Sequence, residues 1–347
     1  MKKHSPFLAA AAMAVAVAIG AGSAHAQKVL KFASVDRPGM PVGDAIEEGL
    51  MPVTAKVSGG KLVIEGHYRG SICGEQKCGE QANQGLIALW RSSTNNFGNF
   101  DTSLTIFDLP YLFKDLGSAD RLSLGWLGKA QRDEAEKGSG HKVLSVFGTG
   151  GFRHFGNTKK PVHVPSDLKG LKVRVTKSPV EFLLFKAWGG TPVPFDWLQT
   201  YQGLQTGVVE GLYVPVPFQY MFKMHEVAKY YTETGGIFSA AHLSMDLKQF
   251  NALEDDERAA LLEGMKAFDK VARTRDLAWT VAETDKLKAR IKEWYKPTED
   301  EMKLWRAGAI KAWVEAKGTF DGERAERALA EQGLTDFIAQ LEKAGAI

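Results

Sequence analysis

Residues 170–215 read GLKVRVTKSPVEFLLFKAWGGTPVPFDWLQTYQGLQTGVVEGLYVP, and the order of elements in this stretch sets the fold class. Residues 172–175 are a short run rich in β-branched side chains and predict a strand. Ser178 precedes Pro179 and stands three residues ahead of Glu181, a capping-box start with proline in the first turn. Val180, Leu183, Leu184, Ala187 and Trp188 then recur at helical spacing and form one apolar face. Gly189 and Gly190 predict the end of that helix. Residues 191–194 are a second extended piece. Asp196 with Gln199 opens another helix, with Leu198, Tyr201 and Leu204 on one side and Gly207 at its close. Residues 208–214 predict a third strand. This β-α-β-α-β alternation implies a parallel sheet with right-handed crossovers. Such sheets take ligands at the carboxyl ends of their strands. Arg174 falls there, where a guanidinium can grip a carboxylate with two parallel hydrogen bonds.

The same alternation occurs earlier in the chain. Residues 28–34 (KVLKFAS) predict a first strand, 42–56 a helix, 62–67 a second strand, 74–84 a helix and 86–90 a third strand. Trp90 ends that strand, and the polar run 91–96 (RSSTNN), which includes Asn95, reads as a loop at its carboxyl end. Residues 118–138 predict a helix and 142–147 a strand leading into Gly148, Gly150 and Gly151, a composition that suggests a hinge or a close backbone approach. The spacing is not that of a nucleotide fingerprint, and no helix start follows directly. Two α/β units therefore stand in series, before and after about residue 150, without a convincing internal repeat. Residues 234–245 read as extended. From about residue 254 the character changes to three helical stretches, 254–290, 299–317 and 324–343, with Pro297 between the first two. Such a tail can strap two lobes, mediate dimerisation or serve as ordinary packing helices.

The first 26 residues have a positive start (Lys2, Lys3), an apolar run from 7 to 22 and the A-x-A site Ala24-His25-Ala26, which read as a secretory signal cleaved after Ala26. An uncleaved membrane anchor is the alternative, but the run is short for a span of about 20 residues. The whole chain of 347 residues has a formal net charge of +3, and removal of this segment, with its two lysines and no acids, leaves +1. That balance argues against nucleic acid and against a polybasic membrane contact. The remaining length favours two lobes over one ordinary domain.

The two cysteines, Cys73 and Cys78, lie in SICGEQKCGEQ. For an exported chain the leading reading is a local disulfide, with free thiols or half a metal site as alternatives. His67 is not at a zinc-ligand spacing, and no metal or cofactor is expected. Catalytic patterns are missing: there is no G-x-S-x-G elbow, no H-E-x-x-H, and the histidines are scattered. Two arginines stand out instead, Arg174 and Arg153, the second in GGFRHFGN just past the glycines. Together they suggest an anion clamp. Aromatic residues crowd the same segments: Phe152, Trp188, Trp197 and Tyr213 among them, with Trp188 on an apolar face and Trp197 placed either to stack on a ligand or to pack.

With these residues in view, the sequence resembles the DctP-type solute receptors of TRAP (tripartite ATP-independent periplasmic) transporters. The resemblance spans nearly the whole mature chain and is densest in DLKGLKVRV (167–175), GGTPVPFDWLQTYQGLQTGVVEG (189–211) and FDLPYLF (107–113). It implies the two-lobed periplasmic-binding-protein (Venus-flytrap) α/β fold, closed by ligand about a hinge, with a long helix behind both lobes and a helical C-terminal region. The expected division is 27–149 plus about 235–254 for lobe I, 150–234 for lobe II and 255–347 for the helical region. By resemblance Arg174 holds the substrate carboxylate, Arg153 is a second anion-binding arginine, Trp197 takes the place of a pocket aromatic, and Glu75 an acidic position of the first lobe. The family's polar Q-E-N-P is here Leu212-Tyr213-Val214-Pro215. Val214 cannot donate a hydrogen bond, so Tyr213 or a less polar pocket is expected in compensation. With Trp90 and Phe152, this makes an aromatic or keto carboxylate an option. The implied function is a periplasmic receptor, monomer or homodimer, that binds an organic acid without chemistry and passes it to TRAP membrane permease subunits. A periplasmic lyase or hydrolase and a sensor partner are the alternatives.

Overall fold

The computed structural model describes residues 27–347; the signal-peptide expectation and its cleavage site lie outside them. Ten strands form one mixed system: β1 (Lys28–Ala33), β2 (Leu62–His67), β3 (Leu89–Ser93), β4 (His141–Asn157), β5 (Lys172–Val175), β6 (Thr191–Pro194), β7 (Gly211–Pro215), β8 (Tyr230–Thr232), β9 (Phe238–Asp246) and β10 (Glu293–Tyr295). The main path runs β2-β1-β3-β9-β4-β7-β5-β6. In one lobe β1 pairs in parallel with both β2 and β3. In the other β5 pairs in parallel with β6 and β7. The expected β-α-β-α-β units are both present.

Each unit is flanked by an antiparallel strand whose segment the sequence marks as extended but whose pairing it does not give. β9 pairs antiparallel with β3 and with the first half of β4, and the second half of β4 pairs antiparallel with β7 and β8. β4 is therefore one strand of 17 residues, not a strand that stops before the glycines. Its register breaks between Gly148 and Phe152, where Gly150 and Gly151 have φ of 71° and 79°. A Cβ at Gly150 would come within 2.9 Å of the Pro215 Cβ. The glycines thus permit a left-handed kink against a packed neighbour, so the chain passes from one lobe to the other without ending the strand.

The helix starting at Ser178 runs Pro179–Ala187, and the Ser178 hydroxyl accepts from the Glu181 N–H as expected. The Glu181 carboxylate, however, does not close the box; it accepts from the Thr176 N–H and hydroxyl. The helix expected over 42–56 contains a π-turn at Ile46–Leu50. That over 118–138 is divided at Gly125, whose ψ of −142° leaves the helical range, and a side chain there would strike the Arg121 carbonyl at 2.4 Å. The last one is divided near Gly333 into Gly322–Ala330 and Thr335–Lys343.

The long helix Asp255–Lys288 spans both lobes. Leu261, Met265 and Phe268 join the core beneath β1, β2 and β9, whereas Leu287 and Trp279 pack with Leu212, Val214 and Phe218. The helix Glu299–Ala316 carries Trp305 against Trp188, whose indole N–H donates to the Trp305 carbonyl at 2.9 Å. The helical tail therefore straps the two lobes. Among the described residues no helix is long and apolar enough to cross a membrane.

Candidate functional site

Successive side chains of a strand point to opposite faces, and three such pairs build the site. In β3, Trp90 faces inward and Arg91 faces the gap between the lobes. In β4 the pair is Phe152 and Arg153, and in β7 it is Tyr213 and Val214. Arg91, Arg153 and Val214 line a cavity of about 50 Å3, together with Glu75, Arg174, Trp197, Phe218 and the hydroxyl side chains Ser93, Thr149, Thr176 and Ser239. Both lobes contribute to its wall.

Arg174 projects from β5 and is 3% exposed. Its Nε donates to the Phe195 carbonyl at 3.0 Å, and its guanidinium stands 5.5 Å from the centre of the Trp197 ring. One edge of the fork is thus fixed by backbone and one face by an aromatic. No protein hydrogen bond to its two terminal nitrogens is found among the described residues. Burial lowers its pKa from the usual guanidinium value, and Glu181 and Glu75 act against that shift. The group remains a cation.

Arg153, equally buried, donates to the Tyr213 carbonyl at 3.2 Å and to the Ser93 hydroxyl at 2.8 Å, and also to Asn95 Oδ1. It therefore joins a strand of one lobe to a strand of the other. Arg91 holds the remaining wall, with Nη1 3.1 Å from Asp36 Oδ2 and 3.5 Å from Glu75 Oε1. Glu75 heads the helix Glu75–Asn83 and accepts from the Ser93 N–H at 3.3 Å and the Asn96 amide at 2.9 Å. The Cys73–Cys78 disulfide is present at the start of that helix. The Thr149 hydroxyl and the Nε groups of Arg91 and Arg153 are buried without a protein partner.

Several expected site residues lie elsewhere. Trp90 is fully buried and sits edge-on to His242 with centroids 4.4 Å apart, beside Phe97 and His141. Burial lowers the His141 pKa to about 4, so this cluster is a neutral core. The Tyr213 ring packs between Phe185 and Trp188, and its hydroxyl accepts from the Gly236 N–H at 2.9 Å; only its carbonyl serves the site. Phe152 lies edge-on to Phe238 and borders a separate groove of about 910 Å3 that also includes His154 and Lys288. Asn95 does not line the cavity but fixes Arg153. Arg174, Arg153, Trp197 and Glu75 do converge on it.

Arg91, Ser93, Thr149, Thr176, Ser239 and Phe218 were not anticipated. The sequence pattern ends the strand at Trp90 and leaves Arg91 and Ser93 in a loop, whereas β3 runs on to Ser93 and its alternation sets both on the cavity side. Among the described residues no cluster of three or more His, Cys, Asp or Glu side chains could hold a metal ion.

Two α/β lobes joined by a kinked shared strand, with a charged cavity closed between them, are the architecture of a solute-binding receptor. The chain belongs to the DctP family, bacterial extracellular solute-binding protein family 7, whose model matches residues 32–318. It is 31% identical over 178 residues to the 2,3-diketo-L-gulonate-binding periplasmic protein YiaO of Escherichia coli, covering 51% of this chain and 54% of that one. It is 27% identical over 304 residues to the C4-dicarboxylate-binding periplasmic protein DctP of Rhodobacter capsulatus, covering 87% and 88%. The first curated relatives are matched over only about half to two thirds of their own length. The crystal structure of a TRAP periplasmic solute binding protein from Bordetella bronchispeptica, with density interpreted as pantoate, superposes with a TM-score of 0.80 at 26% identity, covering 87% of this chain and 98% of that one. The expectation of a receptor rather than an enzyme agrees with this family membership.

Proposed function

We propose that this protein is the extracytoplasmic receptor of a TRAP-type transporter, that it binds an organic monocarboxylate between its lobes, and that it hands the ligand to the membrane permease subunits. The observation that carries the reading is Arg174: a buried cation, braced at Nε and stacked on Trp197, whose terminal nitrogens open into the cavity. A carboxylate is the partner whose geometry fits that fork. The ligands named for the relatives, a diketogulonate and C4-dicarboxylates, all carry a carboxylate for such a fork, as does the pantoate of the superposed structure; the diketogulonate and pantoate are monocarboxylates, the C4-dicarboxylates are not.

Ligand stabilises the closed state because only there do Arg174 and Arg153 of one lobe and Arg91 and Glu75 of the other face the same space. Keto acids are within the reading. The aromatic option loses the support it drew from Trp90, Tyr213 and Phe152, and retains only Trp197 and Phe218. Location in the periplasm, with cleavage after Ala26, and residues 27–149 plus 235–254 and 150–234 as the two lobes are part of the same proposal. The test is a thermal-shift screen of the mature protein against aromatic, keto, hydroxy and sugar acids, with product analysis by mass spectrometry. Saturable stabilisation by one class without turnover supports the receptor; turnover of a stabilising acid would overturn it. Loss of uptake of that acid on gene deletion distinguishes transport from sensing.

A further inference from the structure

The wall of the cavity opposite Arg174 is built from a cation already claimed by two carboxylates. Arg91 contacts Asp36 and Glu75, and Asp36, wholly buried, is itself held by the Ser34 hydroxyl at 2.8 Å. The four charges lining the cavity, Arg91, Arg153, Arg174 and Glu75, sum formally to +2. Asp36 behind Arg91 brings this to +1. Glu181, which acts on Arg174 and holds Thr176, brings it to zero, and the buried Asp108, whose pKa burial raises to about 7, adds negative charge only as it ionises. A ligand with one negative charge therefore makes this closed space slightly negative, and a second negative charge makes it more so. Charges in such a space are only weakly screened.

The neutral groups indicate what the rest of the ligand carries. Arg91 Nε and Thr149 Oγ1 are buried without a protein partner, and both residues line the cavity with Ser93, Thr176 and Ser239. Buried donors left unpaired are costly, so a ligand oxygen placed there is favoured over an apolar group. Beside Arg91, the Glu75 carboxylate provides an acceptor. A hydroxyl is the group that can accept from a guanidinium and donate to a carboxylate at once.

Resting on the carboxylate-receptor reading, we propose that the Arg91–Asp36–Glu75 cluster is a selectivity subsite that accepts a hydroxylated monocarboxylate and rejects dicarboxylates and unsubstituted acids. Arg174 takes the carboxylate, and Arg91 with Glu75 takes a hydroxyl near the other end. The subsite discriminates by two means: unmet hydrogen bonds against an apolar tail, and Glu75 with Asp36 against a second negative charge.

The experiment is calorimetric titration of the mature wild type, Glu75→Gln and Arg174→Ala with butyrate, succinate, benzoate and the hydroxylated monocarboxylates of three to six carbons, with the apo melting temperature of each variant as the folding control. The wild type is expected to bind at least one hydroxylated acid about tenfold or more tighter than butyrate, benzoate and succinate. Glu75→Gln, nearly isosteric and one charge more positive, is expected to shift the hydroxy-acid-to-succinate affinity ratio toward succinate by about tenfold or more. Butyrate or succinate binding as tightly as every hydroxylated acid, or a ratio unmoved by Glu75→Gln, overturns the subsite and leaves the receptor reading intact. Carboxylate binding of equal strength in wild type and Arg174→Ala removes the Arg174 anchor and the subsite built opposite it, and no binding of any of these acids by the wild type removes the carboxylate-receptor reading.

Discussion

Replacing Arg174 by alanine tests the anchor most directly. The guanidinium is 3% exposed, and its charge is offset by carboxylates such as Glu181 and Glu75 rather than by water. Truncation of one partner in a buried, hydrogen-bonded charge pair costs about 2–5 kcal/mol of binding. At about 1.4 kcal/mol per decade, affinity for a carboxylate ligand should fall by about 30-fold to a few thousand-fold. Arg174→Lys should fall between wild type and alanine, because it keeps the charge and loses both the Nε bond to Phe195 and the two-pronged grip. The assay is isothermal titration of the mature protein with its best acid, after circular dichroism has shown the variants folded. Binding by Arg174→Ala within about threefold of wild type would refute the anchor. A loss equal for Arg174→Lys and Arg174→Ala would refute the argument that fork geometry, and not charge alone, holds the ligand.

Gly150→Ala should destabilise the fold by about 1–2 kcal/mol or more, from the left-handed backbone and from contact with Pro215 and Phe218; urea denaturation measures it, and an unchanged midpoint contradicts the kink. Cys73→Ser/Cys78→Ser should cost at most about 2 kcal/mol of global stability, since the closed loop is short, but should weaken ligand binding through the neighbouring Glu75. Equal ligand affinity with and without reductant would show that the bond does not position this wall. Asp108, buried and bonded to Thr94 and Ser178, has its pKa raised to about 7 by burial. The folded state therefore holds this proton more tightly than the unfolded chain. The stability it contributes is full below about pH 4 and is lost as pH rises toward 7; denaturation of Asp108→Asn across this range should show that slope removed, and an unchanged slope would assign it to other groups.

Much of the fold was legible locally. The β-branched runs, the Ser178 cap and the glycine stops carry the two β-α-β-α-β units because strand and helix periods are properties of neighbouring residues. The pairing of β4 with β9 was not legible, since His141–Gly148 finds Ala240–Asp246 across about a hundred residues and nothing in either segment names the other. The continuity of β4 through its glycines was hidden for the same reason: composition signals a turn, whereas strands on both sides keep the chain extended.

The site divides along the same line. Arg174, Arg153, Trp197 and Glu75 could be singled out from their places at strand and helix ends and from a family resemblance. Which of two adjacent residues faces the ligand could not. Trp90 or Arg91, Phe152 or Arg153, Tyr213 or Val214 is decided by the parity of each strand against its partners, a shift of one residue exchanging the two faces. The sequence by itself determined the α/β alternation, the two arginines that suggest an anion clamp and the absence of a recognisable catalytic pattern. The tertiary structure decided that hydroxyls and a third arginine line the cavity beside Trp197 and Phe218, while Trp90, Phe152 and Tyr213 turn their rings elsewhere, because strand register and the closure of two lobes bring together side chains that are remote along the chain.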